Sequence, residues 1–374
     1  MIDLVRTFFE DDSAWDLFVE KLEAWSEEEF FVVSDAGNKG ISCQQLRKQI
    51  ADKYRERIVC VADEKTVSDP EHPVLVSIID RKPAREFRVA LNQLGAMVAS
   101  FDRDGLRPFY YFASCDEDGV FREMPETRAA YEPICSIASL QEPQSKLRSK
   151  IGGLPWGLPK KYWNDKLALL AQLVHEPPMV DLGSDYVLHL WHWSTPDDYC
   201  DPPLYEESEL WATLVPVAEM TETSFTEPPA GVTPFEELYI DSWREFDQQQ
   251  TLGRLYGGPE TRVAGLPGGG GHSNPEDDLP LGMSFLFQTD GTFVLGAPPS
   301  VDTDMERTSI AELEKSLGVE PRLAGQERKY SGTLMKNGKG IWRAYIADFA
   351  SDGNAWVFID RAADPPKVVW NWSR

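Results

Sequence analysis

The side chains that could bind a metal or a nucleotide are few, and their spacing suits neither task. His189 and His192 stand in HLWHW, a run typical of a β-strand, where side chains three residues apart point to opposite faces of the sheet. Residues 34–42, SDAGNKGIS, contain two glycines. A phosphate-binding loop requires a lysine after the second glycine, whereas Lys39 precedes it here. We therefore predict no catalytic residue, no metal site and no cofactor.

A glycine pair gives the chain its most distinctive motif. Residues 149–172 read SKIGGLPWGLPKKYWNDKLALLAQ, and a degenerate copy at residues 261–288 reads TRVAGLPGGGGHSNPEDDLPLGMSFLFQ. Glycine-rich turns can hold anions, but each motif is predicted to lead into a strand, which lacks the dipole of a helix end. We predict two tight turns, each with a buried glutamine that satisfies loop backbone groups. The predicted structural residues are Gly152, Gly153, Pro155 and Gln172 in the first copy, and Gly265, Pro267 and Gln288 in the second.

The first copy also carries a family resemblance. The pattern SKIGGLP, a polar interval and then LAQ resembles the start of the YwqG-like family, a bacterial domain of unknown function. The resemblance covers residues ~145–374. It implies an α+β domain rich in antiparallel sheet, with an internal pseudo-repeat and no established reaction. It also implies an immunity role, because members occur beside bacterial toxin genes. The second copy departs from the pattern where Ala264 replaces a glycine.

Net charge is the most informative bulk property. The chain of 374 residues has 37 basic and 62 acidic residues, a net charge of −25. Residues 176–250 contain 17 acidic residues and one basic residue, Arg244, so this acidic segment supplies −16 of that total. Such a charge repels nucleic acid and anionic lipid and attracts cationic proteins. We therefore predict a basic protein partner, with no nucleic acid and no membrane.

Within the acidic segment, carboxylates alternate with aromatic residues that could anchor a partner. The alternative is a solvated acidic face whose aromatic side chains turn into the core. The predicted partner-binding residues are Asp197, Asp198, Tyr199, Asp201, Tyr205, Glu206, Glu207, Glu209, Glu236, Glu237 and Asp241.

Length and patterning predict an α+β protein of two domains. Residues 1–140 alternate helix and strand signals, including an amphipathic helix with Phe87 and Leu94 on its apolar side and a hairpin formed by RPFYYFAS and GVFRE. Residues 141–374 have short aromatic strands typical of a larger, mainly antiparallel β domain with a pseudo-repeat. Neither a secretory signal nor a long apolar run is evident, so we expect a cytoplasmic protein.

Together these features predict an acidic cytoplasmic binding protein, such as an immunity protein that occludes a basic bacterial toxin, for example a nuclease. One alternative is a small-ligand-binding protein or enzyme with a pocket between the two copies, around Trp156, Gln172 and Gln288. Another is an adaptor that joins two partners through its two domains.

Overall fold

The computed structural model describes residues 2–25, 30–43, 45–46, 58–78, 85–103, 111–112, 114–123, 127–141, 146–193, 211–221, 227–251, 254–256, 261–265, 283–296, 307–319, 333–336, 341–347 and 354–372. The chain divides into two compact units. The N-terminal unit consists mainly of Met1–Thr127, and the C-terminal unit mainly of Arg128–Gln248 and Gly282–Arg374. The main division lies at residues 127–128, and Gln249–Tyr256 is also grouped with the N-terminal unit; the predicted boundary lay between residues 140 and 141.

The N-terminal unit is an α/β layer structure with one mixed sheet. Its elements are β1 (Ile2–Arg6), α1 (Asp12–Trp25), β2 (Phe30–Val33), β3 (Ile58–Ala62), α2 (Glu64–Ser68), β4 (Val74–Ile78), β5 (Arg85–Val89), α3 (Leu91–Arg103) and β6 (Val120–Phe121).

The strand order in this sheet is β2-β1-β3-β4-β5-β6. β1 pairs in parallel with both β2 and β3, β4 is antiparallel to its two neighbours, and β5 is parallel to β6. Successive residues of β1, Leu4 and Val5, enter different buried clusters, as expected when a strand is covered on both faces. On one face, Trp15, Phe18 and Leu22 of α1 supply the packing.

Two predictions for this unit are wrong. Phe87 lies in β5, paired with Val76 of β4, and the helix begins only at Leu91. Pairing with the neighbouring strand outweighs the helical spacing, because Phe87 and Val89 alternate with less buried residues as a strand requires. The predicted hairpin is also absent among the described residues, since 111–112 are helical and β6 pairs in parallel with β5.

The C-terminal unit is built on a large, mainly antiparallel sheet. The elements of this sheet, with one helix, are β7 (Thr127–Ile137), β8 (Lys150–Ile151), β9 (Ala168–Val174), β10 (Tyr186–His192), β11 (Ala212–Pro216), β12 (Leu238–Thr251), β13 (Arg254–Tyr256), β14 (Arg262–Val263), β15 (Ser284–Thr289), β16 (Thr292–Leu295), β17 (Arg307–Ser309), α4 (Ile310–Ser316), β18 (Thr333–Lys336), β19 (Trp342–Tyr345), β20 (Ala355–Asp360) and β21 (Lys367–Trp372). Its one described α-helix, α4, begins with a complete capping box formed by Ser309 and Glu312.

The main path of the sheet is β11-β10-β9-β8-β12-β7-β14-β15-β20-β21, and β16 to β19 form a side branch. Two antiparallel groups of four strands flank the long central strands β12 and β7: the meander β8 to β11, and a second group, β14-β15-β20-β21, whose strands are not all consecutive in sequence. The two end strands, β11 and β21, lie beside each other, so the sheet is nearly closed as a barrel. These features confirm the predicted α+β class, with its antiparallel sheet and pseudo-repeat.

The core of the C-terminal unit is one continuous cluster that includes Leu170 and Leu190 of the meander and Val357 and Trp370 of the second group. Across the part of the chain that the structure describes, no helix has both the length and the apolar character that crossing a bilayer demands.

Candidate functional site

The first glycine turn is a closed structural corner. Gly152 and Gly153 both have positive φ, 63° and 67°, which glycine adopts without the cost that a side chain brings. The Gly152 N–H donates to Leu170 O at 2.9 Å and the Gly153 N–H donates to Phe235 O at 3.0 Å. Since both amides bond to the protein's own backbone, this turn does not offer them to an anion.

Gln172 ties the turn to the sheet from inside. Its side chain is fully buried on β9. Its Oε1 accepts from the Trp156 N–H at 3.0 Å, and its Nε2 donates to Arg148 O at 3.0 Å. One glutamine thus satisfies a backbone donor after the turn and a backbone acceptor before it. Pro155, which follows the turn, is also buried.

Lys150 is a buried cation at the same corner, and it was not among the predicted residues. Its side chain is 2% exposed, and its Nζ donates to Leu154 O and to Glu237 Oε1, both at 2.5 Å. A buried ammonium needs such partners, because leaving it unpaired would be costly. The available signal was its position: a basic residue stands immediately before the apolar residue and small pair in both copies, as Lys150 and Arg262.

The second copy has the same backbone arrangement. Lys150 pairs with Gln172 across β8 and β9, and Arg262 pairs with Gln288 in the same register across β14 and β15. Ala264 has a φ of 58° at the position of Gly152, and its N–H donates to Leu286 O. The loss of glycine therefore leaves the turn intact.

The polar contacts of the second copy differ from those of the first. Gln288 is fully buried and its Oε1 accepts from Arg262, so here the glutamine bonds to the basic side chain itself. Gly265 has a φ of 72°, as the turn requires, whereas Pro267 lies outside the described residues.

The two histidines of β10 are packed in the core and have different neighbours. His189 stacks with Trp191, whereas His192 lies between Trp211 and Phe235, in agreement with opposite faces. Burial, followed by the nearby charge of Lys150, lowers the pKa of His189 to about 3. In the described part of the chain, no three His, Cys, Asp or Glu side chains come together as metal ligands would.

Most of the predicted partner-binding residues lie outside the described residues: Asp197, Asp198, Tyr199, Asp201, Tyr205, Glu206, Glu207 and Glu209. Of the other three, Glu236 is only 8% exposed and Glu237 bonds to Lys150, so neither is the open surface carboxylate that was predicted. Asp241 is exposed and pairs with Arg148 at 3.0 Å. Two of the predicted surface acids are thus part of the structure of the first corner.

Other carboxylates of the acidic segment are matched by cations from outside it. Asp181 pairs with Arg361 at 3.1 Å, and Glu219 pairs with Lys161 at 2.6 Å. Hydrogen bonding from Lys161 lowers the pKa of Glu219. The segment therefore carries less uncompensated charge in the folded protein than its sequence suggests.

The middle of β12 has an exposed acidic surface with one aromatic side chain. Asp241, Trp243, Glu245 and Asp247 alternate along the strand and so share one face. All three carboxylates are exposed, Trp243 is half-buried, and its Nε1 donates to Glu176 at 3.1 Å. We call these five residues the β12 strip.

The one basic residue of the acidic segment does not neutralise the β12 strip. Arg244 belongs to the opposite face of β12 and pairs with Glu132 of β7. Burial raises the pKa of Glu132, although Arg244 favours its charged form. The β12 strip therefore offers what capture of a cationic surface needs: exposed carboxylates around an aromatic side chain.

A cleft beside the first corner is lined by Pro155, Trp163, Trp191, Pro228 and Pro234 among others. Neither glutamine of the two copies lines this cleft, and both are engaged within their own corners. The pocket predicted around Trp156, Gln172 and Gln288 does not correspond to this cleft.

Comparison with known proteins gives one finding. No curated protein and no solved structure is similar enough to match the chain. Residues 2–124 match the model of a family described as "Domain of unknown function (DUF6924)", which covers about a third of the chain. The chain is thus similar to that family over its N-terminal unit, and both corners and the β12 strip lie outside the matched residues.

Proposed function

We propose that this protein is an acidic cytoplasmic binding protein that captures a basic protein partner. Its role would be that of an immunity protein that occludes a toxin such as a nuclease. The β12 strip is the observation that supports the proposal. Its exposed carboxylates attract a cationic surface over a distance, and Trp243 supplies an aromatic anchor at the point of contact. The resemblance of residues ~145–374 to the YwqG-like family motivates the immunity role.

The physical basis of such inhibition is competition between nucleic acid and the carboxylates of this protein for the same cationic side chains. An enzyme that binds nucleic acid presents Lys and Arg side chains to the phosphates, and a row of carboxylates can form ion pairs with those side chains instead. Asp241 already bonds to Arg148 and Glu176 accepts a hydrogen bond from Trp243, so Glu245 and Asp247 are the carboxylates of the strip with neither an ion pair nor a side-chain hydrogen bond among the described residues. We assign these two residues the main share of the attraction.

The test uses two matched variants of the full chain as baits in extracts of the source cells at low salt. The strip variant is Glu245→Lys/Asp247→Lys. The control variant is Asp165→Lys/Asp364→Lys, which makes the same charge change at two other exposed positions of the C-terminal unit. Proteins recovered with each bait are identified and their affinities for purified bait are measured at rising salt.

We expect wild type and the control variant to recover the same basic protein in a stoichiometric complex that dissociates as salt rises. The strip variant should bind it at least tenfold more weakly while unfolding at an unchanged temperature. Recovery of an acidic protein, or equal affinity of wild type and the strip variant, would remove the basis for the proposal.

A further inference from the structure

The N-terminal unit has an unusual concentration of exposed apolar side chains in one short stretch. Leu17 and Trp25 of α1 are 49% and 53% exposed, and Phe31 and Val32 of β2 are 54% and 37% exposed. Single exposed apolar residues are normal on any protein surface. Exposed apolar residues that are adjacent on a strand and close in sequence to an exposed tryptophan are typical of a contact surface.

β2 stands at the edge of its sheet. It pairs in parallel with β1 from Phe30 to Val33, and among the described residues it has no second neighbouring strand. Because consecutive side chains point to opposite faces, Phe31 and Val32 place one exposed apolar side chain on each face of this edge, while Phe30 and Val33 are partly buried against the two core clusters of the unit. The outer row of backbone N–H and C=O groups is thus bordered by apolar side chains above and below.

Natural edge strands are normally protected by lysine, proline or a bulge. The four residues of β2, FFVV, contain no charged residue and no proline, and their register with β1 runs without interruption. An edge with these properties is suited to accept an added strand, in which main-chain hydrogen bonds supply affinity and side chains supply specificity.

The sequence on either side of β2 indicates which segment would fit. Glu27, Glu28 and Glu29 immediately precede the strand in sequence, and Asp35 follows it. The nearby Lys39 pairs with Glu10 and so does not offset them. A second copy of this chain would bring its own acidic flanks against these residues, which opposes self-pairing. A segment with an apolar centre and lysine or arginine at its ends is complementary.

We infer that β2 is a docking edge for an extended segment of another protein, with an apolar centre and basic ends, which adds to the sheet as a further strand. This site is in the N-terminal unit and does not depend on the β12 strip. It is a second binding function of the chain, in addition to the one proposed above.

The experiment uses the full chain and a labelled peptide, KKTVITVKK, with EETVITVEE as its charge-reversed twin. Affinity is measured by fluorescence anisotropy, and the contact is located by protection of the β2 amides from hydrogen exchange. A third peptide carries N-methyl groups on alternate residues along one edge, and a fourth carries them along the other. Only one of these two edges can supply hydrogen bonds to β2, so exactly one methylated peptide should lose affinity.

The matched protein variants are Val32→Lys in β2 and Met335→Lys in β18, since both residues are exposed and apolar and both changes add one positive charge. We expect the basic peptide to bind with protection of β2, and both the acidic twin and Val32→Lys to reduce binding at least tenfold. Met335→Lys and the strip variant Glu245→Lys/Asp247→Lys should bind as wild type does, which separates this site from the β12 strip.

Three results would overturn the inference. Equal binding of the acidic twin would refute the charge argument, and equal binding of both methylated peptides would refute strand addition. A concentration-dependent dimer of the full chain that Val32→Lys abolishes would identify a second copy as the occupant. The methylated peptides leave the protein unchanged, so the test stands even if the Val32 variant does not fold.

Discussion

Replacing Gly152 by alanine tests the account of the first corner most directly. A Cβ atom at this position would lie 1.9 Å from the backbone oxygen of Glu236 and 3.2 Å from the Cβ of Phe235. The oxygen belongs to the backbone, so it cannot move aside as a flexible side chain would. The change also places a side chain at a φ of 63°, in the left-handed region that favours glycine.

The expected cost has two parts. Holding alanine in the left-handed region costs about 1 kcal/mol. Relief of the contact requires the Glu236 carbonyl to retreat by more than ~1 Å, and overpacking of this kind costs about 1–3 kcal/mol. We therefore expect Gly152→Ala to lower the free energy of unfolding of the C-terminal unit by about 2–4 kcal/mol.

The second copy supplies the control, because Ala264 occupies the equivalent position at a φ of 58°. Ala264→Gly relieves the same left-handed cost and adds chain entropy to the unfolded state, so its net effect should stay within about 1 kcal/mol. Both variants are measured by urea unfolding followed through tryptophan fluorescence, with hydrogen exchange of β9 and β15 as a local readout. Similar stability losses in the two variants, or no loss in Gly152→Ala, would refute the proposed contact.

Three further predictions concern the same corner. Gln172→Met keeps the volume but leaves the Trp156 N–H without its acceptor, so we expect a loss of about 1–3 kcal/mol in urea unfolding; no loss would show that this bond is replaceable. Lys150→Met and Glu237→Gln should each lower the free energy of unfolding by several kcal/mol. In a double-mutant cycle, the variant with both changes should lose less than the sum of the two single losses, whereas additive losses would mean that the two charges do not interact. Because the folded pKa of His189 is about 3, well below its ordinary value, the unfolded chain takes up the proton first and stability falls as pH drops from about 6.5 towards 3, by at most about 1.4 kcal/mol per pH unit. His189→Phe should flatten this part of the stability curve, and an unchanged slope would contradict the prediction.

The sequence was a good guide where structure depends on local patterns. HLWHW begins inside β10, because its alternation and aromatic content favour a strand, and β10 pairs with its two neighbours along the chain, β9 and β11. The sequence repeat also corresponds to two corners with the same strand register. Phe87 was misassigned because its pairing with β4 is a tertiary effect that helical spacing cannot reveal.

The candidate site was harder to predict than the fold because charge was counted along the sequence. Glu237 is compensated by Lys150, which lies 87 residues away, and Asp241 by Arg148, which lies 93 residues away. The acidic segment, residues 176–250, contains neither Lys150 nor Arg148, so a count of charge along that segment misses both cations. The β12 strip is defined mainly by the alternation of side chains along one long strand, and of its five residues only Asp241 was among the predicted binding residues.

The meeting of β11 with β21 has a consequence for biosynthesis. These strands lie more than 150 residues apart in sequence, and they are neighbours at the two ends of the main sheet. While the ribosome is still making residues 217–366, the nascent chain already contains β11 but not its neighbour β21, which is also the last strand of the second group. Translation must therefore deliver β21 before the sheet can close, and a chain that stalls earlier would present unpaired strands to chaperones and proteases.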